Sequence, residues 1–207
     1  MQIVGRSSSL FTRIPLIFAE ELGVPYVLEP IYDMTAVGPE VYAGNPALKL
    51  PILRRDGSQP LFGAQNICRV IVERATIAQR VLWPEDLRDD LSRNAQELVW
   101  HCAATQVQLV MGTVINKLPA ENPFFSKARA GFENSLRWLD AHLAAALGAL
   151  PSHDLSLFEV SLFCLVEHLQ FRPTLPLDSL PALLAFTTDF ARRPSARRTA
   201  YRYDNPV

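Results

Sequence analysis

The periodicity of this 207-residue chain changes once, near Trp83-Pro84, and that change divides it. Before it, runs at strand spacing alternate with helical faces; from Asp86 onward every periodic segment is helical. Residues 2–5 (QIVG) read as a short buried strand. Phe11, Ile14, Phe18 and Leu22 then share one helical face, with Ser7-Ser8-Ser9 as N-cap candidates and Gly23 as the stop. Pro15 interrupts that face at a cost of about 3 kcal/mol in a helix interior, so a kink or a late helix start is expected. A second strand lies in 24–32, and 33–45 reads as loop with one turn of helix. LPILRR and QPLF flank Asp56-Gly57, a hairpin signal, and AQNICRVIVERA is helical. The order is β-α-β-(α)-β-β-α.

In the second half, one helix is expected from Leu87 to Gly112 and another from Phe125 to Leu147, ending at Gly148. Asp154–Val160 then places Ser156 at an N-cap with Glu159 three residues on, flanked by Leu155 and Val160. That is a capping box with a hydrophobic staple. The helix it opens is apolar nearly all round, so it should be the buried centre of its domain. A last helix begins near Pro181 and stops before Pro194. The expected domains are 1–77 and 86–207, joined by a linker at 78–85.

Bulk properties exclude some functions. Apolar residues make up 49%, enough for a proper core, and the net charge of −1 gives no field for nucleic acid or an anionic membrane. The arginines at 192, 193, 197, 198 and 202 follow a helix C-terminus, where a solvated cationic end is the expectation rather than a nucleic-acid arm. Cys68, Cys102 and Cys164 lie apart in apolar helical stretches and read as buried small hydrophobes. His142, His153 and His168 show no metal-ligand spacing, so no metal is expected. The N-terminus has no signal-peptide pattern, and LSLFEVSLFCLVEHL is too short and too acidic to span a bilayer. A soluble protein of the reducing cytoplasm, with no membrane partner, is the expectation.

Three motifs in order carry a resemblance. "SSLFTR" is similar to S-P-F-x-R, "NPALKLPIL" to N-P-x-G-K-V-P-x-L, and "FARRPSARRT" to the usual ending of the glutathione S-transferase superfamily. The chain resembles that superfamily over essentially its whole length. The resemblance implies an α/β thioredoxin-like N-terminal domain followed by an all-α helical domain. It implies glutathione as co-substrate, a small hydrophobic electrophile as partner, and a homodimer. On the residues alone, Pro51 fits either a trans proline opening an edge strand or a cis bond; the resemblance favours cis, with the Leu50 N–H and C=O pairing to the cysteinyl part of glutathione. Ser9 falls where serine-type members place the hydroxyl that stabilises the thiolate, and it also fits a simple N-cap. Ser7 and Ser8 are one register step away. Phe11, Lys49, Gly63, Ala64 and Gln65 fall on the remaining glutathione-binding positions.

Two departures accompany the resemblance. Relatives open the third helix with an acid and a serine that grip the γ-glutamyl end, and here those positions are Gly63 and Ala64. Where many relatives place an Asp in the long fourth helix, Trp100 stands beside His101. These two either shape an electrophile pocket or are interface packing and an ordinary hydrogen-bonded histidine. Three functions follow: a glutathione S-transferase-like enzyme, a non-catalytic binding or assembly module on the same fold, and an enzyme for another thiol.

Overall fold

A computed structural model describes residues 1–204. Backbone contacts divide the chain into two compact units. The first holds Met1–Gln79 together with the chain from Arg192, and the second holds Arg80–Ala191.

In the first unit, β1 (Gln2–Gly5), β2 (Val27–Pro30), β3 (Ile52–Arg54) and β4 (Leu61–Phe62) form one sheet in the order β2-β1-β3-β4. β1 runs parallel to β2 and antiparallel to β3, which pairs antiparallel with β4 across the Asp56-Gly57 turn. Register sets the two faces. Val4 pairs with Ile52 and Ile52 with Phe62, and these join Ile31, Tyr42 and Ala43 in an apolar cluster. That face is covered by the segment after β2, including a 3-10 turn at Pro39–Tyr42. Ile3 and Leu53 project to the other face, where α1 (Leu10–Glu21) packs against α2 (Ala64–Arg74). Gly5 permits the approach of α1, because a Cβ there would lie 2.4 Å from Thr12 Cγ2.

α1 is continuous through Pro15 and starts at Leu10, so the expected late start does not occur. Ser9 caps it and Gly23, at φ 65°, ends it, with Val24 N–H reaching the Ala19 carbonyl at 2.9 Å. The helix carries Glu20 and Glu21 in its last turn, where the dipole disfavours acids. Arginines answer them. Arg198 pairs with Glu20 at 3.1 Å and Arg193 with Glu21 at 3.4 Å. The basic tail is therefore partly folded onto α1 rather than simply solvated. Pro194, expected only to terminate a helix, opens a further short one, α7 (Pro194–Arg198). The sequence reading assigned this region to the helical half. It packs instead on the first unit because Arg13, buried in α1, draws it in: Nη2 donates to the Ala196 carbonyl at 3.0 Å and Nε to Thr199 Oγ1 at 3.4 Å.

The second unit contains α3 (Asp90–Leu109, continued by a π-helical turn, Val110–Ile115), α4 (Pro123–Gly148), α5 (Leu157–Phe171) and α6 (Pro181–Phe190). The stretch expected as a linker is ordered: Val81–Leu82 forms β5, paired in parallel with β6 (Leu155–Ser156), and Pro84–Asp86 is a 3-10 turn. α5 is the buried centre, as its composition required. Its capping box is half realised. Ser156 Oγ accepts from Glu159 N–H at 3.4 Å, but the Glu159 carboxylate turns to His153 Nε2 at 2.6 Å. The run Asp90–Ile115 is long and apolar enough to cross a membrane by length and composition, yet α3 packs on both α4 and α5.

Replacing Gly5 by alanine is expected to lower the unfolding free energy by about 1–3 kcal/mol, because the added carbon overpacks against Thr12. Urea unfolding monitored by circular dichroism measures this. A stability loss below about 0.5 kcal/mol would mean that α1 can stand off the sheet.

Candidate functional site

Topology gathers three chain segments at one end of the four-stranded sheet. β1 leaves this end at Gly5, β3 enters it at Ile52, and β4 leaves it at Phe62. The turn Arg6–Ser9, the approach Lys49–Pro51 and the start of α2 at Gly63–Gln65 are therefore neighbours by register. The N-termini of α1 and α2 open at the same end, and both present backbone N–H groups suited to negative charge.

The turn is built by reciprocal bonds. Ser9 N–H donates to the Arg6 carbonyl at 3.0 Å, and Thr12 N–H donates to Ser9 Oγ at 3.3 Å. The Ser9 hydroxyl thus accepts one bond as a cap and keeps its own proton free to donate. Capping and donation to a ligand are compatible at this residue. Ser7 and Ser8 are buried, and the Ser7 hydroxyl has no hydrogen-bond partner among the described residues. Phe11 is half-buried in the first turn of α1.

Leu50–Pro51 is a cis peptide bond. Among the described residues, neither the N–H nor the C=O of Leu50 is engaged in a hydrogen bond. Both flanking carbonyls are committed: Pro51 C=O accepts from Gly63 N–H at 3.2 Å, and Lys49 C=O accepts from Asn45 Nδ2 at 2.7 Å. Asn45 is a residue that sequence reasoning passed over. Buried, it also accepts from Ala47 N–H at 3.0 Å and so shapes the whole loop leading to Leu50. The Asn-Pro pair at 45–46 was its only signal. Leu48, where the resembling motif carries Gly, sits at φ 53°, so the loop keeps the glycine-like backbone without the glycine. Lys49 is exposed.

α2 has no side-chain cap. Gly63 stands at φ 89°, ψ 142°, a region reserved for glycine, with open space around its α-carbon. Backbone conformation, and not crowding, is what a side chain would meet here. Ala64 is buried and Gln65 half-buried.

Trp100 and His101 belong to the helical unit. Adjacent on α3, they point about 100° apart, Trp100 half-buried and His101 exposed with Nε2 3.1 Å from Glu97 Oε1. His101 therefore has a carboxylate neighbour on its own helix. None of the three cysteines forms a disulfide among the described residues; all are buried, and burial pushes the Cys102 thiol up to about 12.

Such an arrangement, a sheet end with an unengaged main-chain edge, two helix N-termini and a hydroxyl donor, defines a thioredoxin-like domain without a dithiol of its own. Residues 8–74 match the family model described as Glutathione S-transferase, N-terminal domain. The whole chain superposes on a glutathione transferase family member from Pseudomonas fluorescens with bound glutathione (TM-score 0.78, 19% identity, 97% of this chain and 98% of that one). It is also similar to a glutathione S-transferase from Methylobacillus flagellatus with glutathione bound (0.75, 18%, 97% and 99%). A maleylacetoacetate isomerase from Methylobacterium extorquens with bound malonate and glutathione matches over both full lengths (0.73, 17%, 100% and 100%). No curated protein matches the chain significantly. The fold is that of the glutathione S-transferases, and the match at residues 8–74 is to the N-terminal domain of that family.

Gly63→Ala is expected to destabilise the protein by about 1–3 kcal/mol despite its exposure, because the strain is in the backbone. Thermal or urea unfolding checks it, with Gln65→Ala as the neighbouring control.

Proposed function

We propose that the chain is a glutathione S-transferase-like enzyme that binds glutathione at this sheet end and holds it as the thiolate for attack on a small electrophile. The observation that carries the reading is the unengaged main chain of Leu50 beside the N-terminus of α1. An extended peptide can add there as a strand adds to an edge, with Leu50 N–H and C=O as its partners. Ser9 Oγ–H then donates to the sulfur, and the α1 N-terminus adds its partial positive charge. Both lower the thiol pKa. Ser9 is not a nucleophile in this scheme; the sulfur attacks, and the leaving group or the added proton is exchanged with solvent.

The start of α2 receives the γ-glutamyl carboxylate through backbone N–H groups, with Gln65 alone to contribute a side chain. Each missing hydrogen bond to a charged group is worth about 1.5–3 kcal/mol, or about one to two decades of affinity. Binding is therefore expected to be weak. We further propose a cytoplasmic homodimer, Lys49 as an outer contact for glutathione, Phe11 as part of the thiol wall, and Trp100 with His101 as contributors to the electrophile pocket. Light scattering at micromolar concentration tests the dimer.

The non-catalytic reading has its own support in Gly63. The glycine-only backbone there makes restoration of an acid costly, so the γ-glutamyl anchor is absent in conformation as well as in side chain. Isothermal titration with glutathione separates the two. The enzyme reading expects saturable binding, strengthened about tenfold by Ala64→Ser through one regained hydroxyl contact. It also expects Ser9→Ala to raise the pKa of the bound thiol by about 1–2 units and to slow conjugation at neutral pH correspondingly. No heat at millimolar glutathione, with conjugation unchanged in Ser9→Ala, would leave the binding-module reading in place.

A further inference from the structure

We propose that Asp204 is a positioning residue for the turn that carries Ser9, acting from almost two hundred residues away in sequence. The Asp204 carboxylate accepts a hydrogen bond from the Ser7 N–H at 2.9 Å, and Arg6 Nε lies 3.9 Å from the same oxygen. The contact is sheltered: the Asp204 side chain is 10% exposed and that of Arg6 20%. Within the turn, Arg6 N–H is directed to Thr12 Oγ1 at 3.5 Å and Ser9 N–H to the Arg6 carbonyl at 3.0 Å, whereas Ser7 N–H finds its acceptor only in Asp204. A carboxylate placed there closes the turn from outside.

Asp204 is itself held in place. Upstream, the Arg13 guanidinium stacks under the Tyr201 ring at 4.3 Å and binds Thr199 and Ala196. Ser195 Oγ donates to Glu21 near the other end of α1. The segment from Pro194 to Asp204 therefore grips α1 at its last turn, at its first turns through Arg13, and at the entering turn through Ser7. The orientation of the Ser9 hydroxyl follows, because its cap bond to Thr12 and its backbone bond to Arg6 belong to the same small ring of contacts. The carboxylate works through its oxygen as an acceptor; its charge is balanced by Arg6.

This role rests on the reading that Ser9 serves a bound thiol, and the experiment separates the two. Asp204→Ala removes the acceptor, whereas Asp204→Asn keeps an amide oxygen for Ser7 N–H and removes only the charge. Amide hydrogen exchange over residues 6–12 of the unliganded protein reads the turn directly. Loss of protection by about tenfold is expected in Asp204→Ala, and protection close to wild type in Asp204→Asn. Ultraviolet difference titration of glutathione thiolate on the protein reads the consequence. The bound-thiol pKa is expected to rise by about one unit in Asp204→Ala and to be rescued in Asp204→Asn, while the dissociation constant for glutathione changes less than about threefold.

Unchanged exchange in Asp204→Ala, or equal loss in both variants, overturns the proposal whatever glutathione does. An altered turn with an unaltered thiol pKa also overturns it, because Ser9 would then be indifferent to the contact. If wild-type protein binds no glutathione, the thiol reading falls, and the exchange measurement still decides whether Asp204 sets the turn.

Discussion

A single main-chain bond, Gly63 N–H to the Pro51 carbonyl at 3.2 Å, ties the sheet end together. It is the last link between β3 and β4, and the chain turns from it directly into α2. By spending the Pro51 carbonyl inside the sheet it leaves Leu50 as the first residue along that edge with nothing to bind. The positive φ of Gly63 lets α2 begin without an intervening loop, so a helix N-terminus opens beside the free edge. The strand start, the bare helix and the serine turn owe their proximity to this local economy of connections.

Much of this was legible because it is local. Hairpin chemistry at Asp56-Gly57, the serine cap on α1, the Gly23 stop and the apolar girth of α5 each arise within a few residues, and each is found where the pattern placed it. What escaped depends on which of several partners a side chain meets once the chain is folded. Nothing near Pro194 says that a buried Arg13 will pull the following turn onto the first unit. Nothing near Glu159 says that His153 will win its carboxylate from the helix cap. Proline was ambiguous in a different way: Pro15 is tolerated inside α1 and Pro194 starts a helix, although both read as interruptions. Site residues followed the same division. Ser9, the Leu50–Pro51 pair and Asn45, whose bonds to Lys49 and Ala47 are local, stand in readable motifs, while Asp204 acts through a contact that motif and spacing do not encode.

The departures from the family pattern are themselves informative. Leu48 keeps a left-handed backbone that the resembling motif assigns to glycine, and it packs against the cluster around Tyr42. Gly63 does the reverse and gives up a side chain where relatives use one. The loop to Leu50 thus carries an apolar anchor at Leu48, and the start of α2 offers only backbone at Gly63.

The buried cysteines bear on how such a chain would meet reactive compounds. With the Cys102 thiol pushed up to about 12 and all three cysteines buried, the folded chain presents soft electrophiles with no solvent-exposed thiol among the described residues.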